Sequence, residues 1–188
     1  LYLYITTRSN PNPLTLSVVR VNRAWDPAQV TWNQATASEA WVQAGAGDVE
    51  SDRSARVYAT CQVDGERRWI SLDVSDLVQE WVADPEHNYG LLVLAESNVA
   101  VQYDFTSSGW FSEDYRPYLD VEYVPQRPTP TLVPSDTPTI TPTPADTPTP
   151  TSTPFPPQGK YLLQQGREGY AGFEDTFVDR WNPQTNYL

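Results

Sequence analysis

Arg67-Arg68-Trp69-Ile70-Ser71-Leu72-Asp73-Val74-Ser75-Asp76-Leu77-Val78-Gln79-Glu80-Trp81-Val82 contains a change of period, and that change decides the fold class. From Arg67 to Val74 the apolar residues Ile70, Leu72 and Val74 alternate with Arg67, Trp69, Ser71 and Asp73, the two-residue period of a half-buried strand. From Val74 onward the apolar positions are Val74, Leu77, Val78, Trp81 and Val82, which is helical spacing. Ser75 or Asp73 is placed to cap the helix start. Asp84-Pro85 ends it, because proline disfavours helical geometry in the residue before it. The expectation is one strand running into one short helix over residues 75–83.

Outward from this stretch only strand signals recur. Leu1 to Thr7 is β-rich and stops at Ser9-Asn10-Pro11-Asn12-Pro13, and Leu14 to Val21 follows with Leu14, Leu16 and Val18 alternating. Tyr89 to Leu94 is a continuous apolar run, as a strand buried on both faces shows. Val99, Val101, Tyr103 and Phe105 alternate with polar partners, as do Leu119, Val121 and Tyr123 against Asp120 and Glu122. Cys61 sits in a further β-patterned stretch and reads as a small core residue. Residues 1–124 are therefore expected to form an all-β, antiparallel, jelly-roll-like β-sandwich with one short helix.

Composition divides the 188 residues into three. Of 18 prolines, twelve lie between Pro125 and Pro157, in repeats such as Thr147-Pro148-Thr149-Pro150. Proline at every second or third position opposes helix and sheet alike, so 125–159 reads as an extended Pro/Thr-rich linker of the kind that joins modules in exported chains. Residues 160–188 turn globular again.

Charge and cysteine content exclude several functions. The net charge is −12, and residues 1–124 carry 8 Lys/Arg against 18 Asp/Glu. Clustered cations for phosphate neutralisation are missing, which argues against nucleic acid and anionic membranes. No apolar run is long enough for a membrane span. The acidic surface favours solubility and the monomer. A single cysteine allows neither an intrachain disulfide nor a cysteine zinc site. The one histidine, His87, lies in the turn Asp84-Pro85-Glu86-His87-Asn88, where a nucleophilic triad has nothing to build on. No carboxylate pair stands out for glycoside hydrolysis. The chain is expected not to be an enzyme and to need no cofactor.

Two groups of residues are candidates for binding. Sugar rings stack on exposed indoles, and Trp41 and Trp110 sit in Gly/Ser-containing loops; Trp110, in Ser107-Ser108-Gly109-Trp110-Phe111, is the stronger, with Tyr115 and Arg116 beside it to supply hydrogen bonds. Trp25, Trp32, Trp69 and Trp81 read as core. Asp48, Glu50 and Asp52 are spaced to converge on one Ca²⁺, although the loop lacks the EF-hand glycine and distal glutamate.

Four blocks in order resemble the DNRLRE domain family, also classed as carbohydrate-binding module family 96. They are Trp25-Asp26-Pro27-Ala28-Gln29-Val30-Thr31-Trp32-Asn33, Trp69-Ile70-Ser71-Leu72-Asp73-Val74, Asn88-Tyr89-Gly90-Leu91, and Arg116-Pro117-Tyr118-Leu119-Asp120-Val121-Glu122-Tyr123. Residues 160–188, with Gly169-Tyr170-Ala171-Gly172-Phe173-Glu174-Asp175-Thr176-Phe177, then Trp181 and Asn186-Tyr187, are similar to the opening strands of a second copy. The resemblance implies a jelly-roll-like sandwich, a secreted or cell-surface protein built of tandem modules, and polysaccharide binding in some members. On this reading the N-terminal strands of the first copy are missing, and Tyr161 to Leu163 with Thr176 to Val178 are expected to dock onto residues 1–124 in their place.

The expected function is a non-catalytic extracellular polysaccharide-binding or adhesion module, with neighbouring modules of the same chain as further partners. The alternatives are a passive structural spacer and an accessory part of a polysaccharide-degrading enzyme.

Overall fold

The computed structural model describes residues 1–124, 159–167, 170–172, 175–176 and 184–185. The linker at 125–158 lies outside them, as do Phe173, Phe177, Val178, Trp181, Asn186 and Tyr187. The strands are β1 (Tyr2–Arg8), β2 (Leu14–Val21), β3 (Arg53–Val63), β4 (Arg68–Ser71), β5 (Leu91–Glu96), β6 (Tyr103–Phe105), β7 (Tyr118–Tyr123) and β8 (Gly159–Gln164), with one helix, α1 (Ser75–Ala83), after β4. Chain contacts divide the protein into Leu1–Asp120 with Leu162–Leu188, and Val121–Tyr161.

Two sheets form. One has the order β4-β1-β7-β8, with β6 also on β1; the other is β3-β2-β5. The recorded pairings of β1 with β4, β6 and β7, and of β2 with β3 and β5, are all antiparallel. This is the expected all-β sandwich.

Alternation explains why the sheets face each other. On β1, Leu3 and Ile5 point inward, joined by Leu1 just before the strand, and on β4 Ile70 is joined by Leu72 and Val74 beyond the strand end. These meet Leu14, Leu16 and Val18 of β2 and Val63 of β3. Each such buried Leu, Ile or Val contributes roughly 1.5–3 kcal/mol of transfer free energy. Tyr103 enters the same core, and its hydroxyl donates to Asn12 O at 2.9 Å and Val63 O at 3.2 Å, which removes the cost of burying it.

α1 closes one end of the core with Leu77, which is fully buried beside Val74 and Val78. Its cap differs from the expectation. Val74 is the N-cap residue and no side chain caps the helix; Asp73 Oδ1 instead accepts from the Ser75 amide at 3.0 Å and the Ser75 hydroxyl at 2.6 Å. Glu80 ties the helix to the second sheet, accepting from Arg20 at 3.0 Å, Arg56 at 2.8 Å and the Tyr58 hydroxyl at 2.7 Å.

β3 is absent from the sequence reading, except that Cys61 lies within it. Arg53–Val63 is an edge strand with mostly exposed or half-exposed residues, so its apolar alternation is faint. Between β2 and β3 lies a long loop without regular strand, with an isolated bridge from Gln34 to Ala40 and many turn hydrogen bonds of its own. It buries a small core of its own, made of Val30, Ala35, Trp41 and Ala46 packed against Val21.

Candidate functional site

The outer face of the β4-β1-β7 sheet carries the most distinctive surface. Tyr2 and Tyr4 occupy the phase of β1 opposite to Leu1, Leu3 and Ile5. Register puts Tyr4 directly across from Trp69 and Tyr2 directly across from Tyr118. Tyr2 and Tyr118 stack at 4.5 Å and 10°, while Trp69 meets Tyr4 at 5.3 Å and Tyr118 at 5.2 Å, edge to face in both cases. Tyr115, 41% exposed, leans on Tyr4 at 4.6 Å. Tyr2, Tyr4, Trp69 and Tyr118 are all half-buried by one another. Cross-strand aromatic pairs stabilise a sheet by a fraction of a kcal/mol to about 1 kcal/mol each, yet here they do so on the side away from the core.

This corrects the reading of Trp69 as core. Its place in the polar phase of β4 is visible in the sequence, and so is the Tyr2/Tyr4 alternation. What the sequence does not reveal is that these strands are neighbours.

Of the expected ligand residues, Trp41 belongs to the interior. It is only 8% exposed, and its indole N–H donates to Thr31 O at 3.1 Å, so it offers no face to a sugar. The Gly-rich loop that suggested exposure wraps around it instead. Trp25 and Trp32 are half-buried; the Trp25 N–H donates to Tyr89 O at 2.7 Å, and the Trp32 ring lies against Gly45. Trp81 is also half-buried, against the helix-end core.

Trp110 keeps part of its surface and packs on Phe111 at 5.0 Å, Phe111 itself being 85% exposed. Arg116 is not available as a ligand donor. Its Nε donates to Trp110 O at 2.7 Å, its Nη1 to Gln165 O at 2.9 Å, and Glu113 lies 3.7 Å away. Tyr115 leans on Tyr4 and stays 41% exposed, and its carbonyl accepts the Thr106 hydroxyl.

The Ca²⁺ arrangement is likewise corrected. Asp52 is fully buried; its carboxylate accepts from the Val42 amide at 3.0 Å, the Gln43 amide at 2.9 Å and the Asp48 amide at 3.3 Å, with Arg23 at 3.6 Å. Asp48 accepts from the amides of Ser51 at 2.7 Å and Glu50 at 3.1 Å. These bonds hold its carboxyl below the usual aspartate range, the Ser51 amide first and the Glu50 amide second. Glu50 is exposed. The Asp48 and Asp52 carboxylates organise the loop, and no group of three His, Cys, Asp or Glu able to hold a metal occurs among the described residues.

His87 bonds Asp84 at 2.8 Å, both well exposed, in a shallow depression with Arg20, Asn22 and Glu50. Those residues include no Ser, Thr or Cys to act as nucleophile. No described helix is long and apolar enough to cross a membrane.

Comparison with known proteins yields no matching curated protein and no matching solved structure. A family model does match residues 1–121, and it is the disaggregatase related repeat domain. It replaces the DNRLRE assignment, and the carbohydrate-binding classification that came with that assignment falls too. The four blocks behind the resemblance are fold-making: Trp25 ties its loop to Tyr89, Ile70 and Leu72 fill the core, and Tyr118 pairs with Tyr2. Sandwiches of different families solve the same packing problems with such residues. With residues 1–121 covered by its model, this chain belongs to the disaggregatase related repeat domain family.

Proposed function

We propose that the chain is a non-catalytic adhesion module of a multi-module secreted or cell-surface protein, and that the outer aromatic face is its contact surface. The observation that carries this is the cluster of Tyr2, Tyr4, Trp69, Tyr115 and Tyr118 on the solvent side of the sheet. Tyr and Trp are the side chains most enriched in interface hot spots, because they bury large area at low entropic cost. A sugar ring needs an open ring face. Here Trp69 is flanked edge-on by two tyrosines, and the facing sides of Tyr2 and Tyr118 cover each other. A protein surface, in the first place a neighbouring module of the same kind, suits this relief better. Membership in a family of repeat domains supports a module that works in series.

The test is clustering of beads coated with the full chain in buffer near physiological ionic strength. Coated beads are expected to cluster, and Tyr4→Ser combined with Trp69→Ala and Tyr118→Ser to abolish clustering, while Phe111→Ser leaves it intact. Dispersed beads that bind immobilised polysaccharide through Trp110 would replace this reading with the polysaccharide-binding one. Beads that bind nothing would leave the spacer.

A further inference from the structure

The loop from Ser108 to Arg116 has several of its hydrogen bonds completed by a distant part of the chain. The loop from Ser107 to Arg116 contains a single 3-10 turn at Glu113–Tyr115 and no other regular structure. Its polar groups find partners beyond residue 161. Arg116 Nη1 donates to Gln165 O at 2.9 Å, and Gln164 Nε2 donates back to Arg116 O at 2.8 Å. Gln164 is fully buried, and Arg167 donates to its Oε1 at 3.2 Å. The Ser108 amide donates to both carboxylate oxygens of Asp175 at 3.0 Å, and the Ser108 hydroxyl bonds the same carboxylate. Gly166 adopts φ +88°, and a Cβ there would meet Arg116 Nη1 at 2.5 Å. Such a fit requires glycine.

We infer that this latch is exchangeable: Leu162–Arg167 and Asp175 of one chain dock onto the Ser108–Arg116 loop and β7 edge of a second copy. The groups that recognise the segment are the Arg116 guanidinium and carbonyl and the Ser108 amide and hydroxyl. All of them are presented identically by another molecule of the same sequence, and a strand edge accepts any matching strand. About forty residues separate the two halves, and closing so long a loop costs only slowly more with length, so the tether favours the internal partner no more than a millimolar-range local concentration does. Copies held together on a surface or in series reach that range. Exchange of an identical element between protomers then needs no new contact. This inference is independent of the aromatic face, which it does not use.

The test uses full-length chains in a Cys61→Ser background, since Cys61 is a free thiol. Ser108→Cys and Asp175→Cys chains are refolded together at low micromolar and at roughly millimolar concentration, then oxidised or bridged with a short bis-maleimide. The expected result is a crossed Ser108–Asp175 linkage between chains, rising with concentration to roughly tenfold above a Ser108→Cys with Val99→Cys control. The double variant Ser108→Cys/Asp175→Cys is expected to close within one chain at low concentration. Internal closure of the double variant without any crossed product above control would overturn exchange. Failure of the double variant to close at all would overturn the latch itself. Loss of bead clustering with the aromatic variants, while the crossed linkage persists, separates this inference from the adhesion face.

Discussion

Two long loops of this protein are each organised around one ionised side chain, and they differ in where that side chain finds its partners. Asp52 sits at the end of the β2–β3 loop and accepts three amides, from Val42, Gln43 and Asp48, all within ten residues. Arg116 sits at the end of the β6–β7 loop and donates to Trp110 O and to Gln165 O, the second 49 residues away. The first loop pairs mostly with itself around a small core at Trp41, reaching outward through Trp25, whose N–H donates to Tyr89 O. The second is open, and borrows acceptors from another part of the chain. A buried charge thus does the same physical task twice, supplying backbone groups that regular structure leaves unpaired, with opposite sign and opposite range.

The comparison breaks most visibly at Asp52. Asp52→Ala leaves three amides and Arg23 facing a void, and is expected to cost about 3–5 kcal/mol, with a matching drop in the urea midpoint. Hydrogen exchange should accelerate through residues 42–52 and leave 107–116 unchanged. If 107–116 exchanges faster as well, the two loops are not independent.

Gly45 tests the closed loop from its other side. It adopts φ +76°, and a Cβ would approach the Trp32 ring to 2.4 Å. Gly45→Ala should cost about 2–3 kcal/mol from left-handed strain plus displacement of Trp32, read as a lower melting temperature with altered tryptophan fluorescence.

Arg116→Met sharpens the comparison in the open loop. Expected loss is about 1.5–3 kcal/mol of charge-assisted hydrogen bonding. Its signature is faster exchange at 107–116 together with 162–167. Unchanged exchange at 162–167 would show that the borrowed contact is not what holds the latch.

The smallest effect is pH-dependent and belongs to Asp48. Its native pKa is lowered, so its contribution is complete above the unfolded value of about 3.9 and is lost as pH falls through the lower native value. Asp48→Asn should therefore flatten acid destabilisation slightly below pH 4. An unaltered acid limb would mean that the Ser51 and Glu50 amides find other acceptors.

How far the sequence reaches is clear from particular residues. Ile70, Leu72 and Val74 alternate and are all buried; Leu77 continues at helical spacing and is also buried. Such elements are legible because one face of each is apolar over its whole length. β3 is not, since Arg53–Val63 lies at an edge and is only half-buried before Val63, so its inner face needs few large apolar residues. The candidate site was read less well. Trp110 keeps exposed surface, but Trp41 is interior, because a Gly-rich loop says only that the chain can turn and not what it turns around. Asp48, Glu50 and Asp52 have one spacing and one charge, and sequence does not tell which carboxylate will receive backbone amides. The aromatic face was missed because it is assembled by register between β1, β4 and β7, strands far apart in the chain.

That same central position of β1 sets the order of assembly. Tyr2–Arg8 pairs with residues 68–71, 103–105 and 118, and among the described residues none of these strand partners lies within sixty residues. On the ribosome β1 leaves the tunnel well before its neighbours, at 5–20 residues per second. Leu3, Tyr4 and Ile5 must wait, exposed, for several seconds until Arg68–Ser71 emerges, and the sheet is complete around them only once Tyr118 follows. Meanwhile β2 and β3 can already pair. Long-range topology of this kind folds slowly. The strand made early is thus among the last to find its place, and in the interval its apolar phase is the part of the nascent chain most in need of shelter.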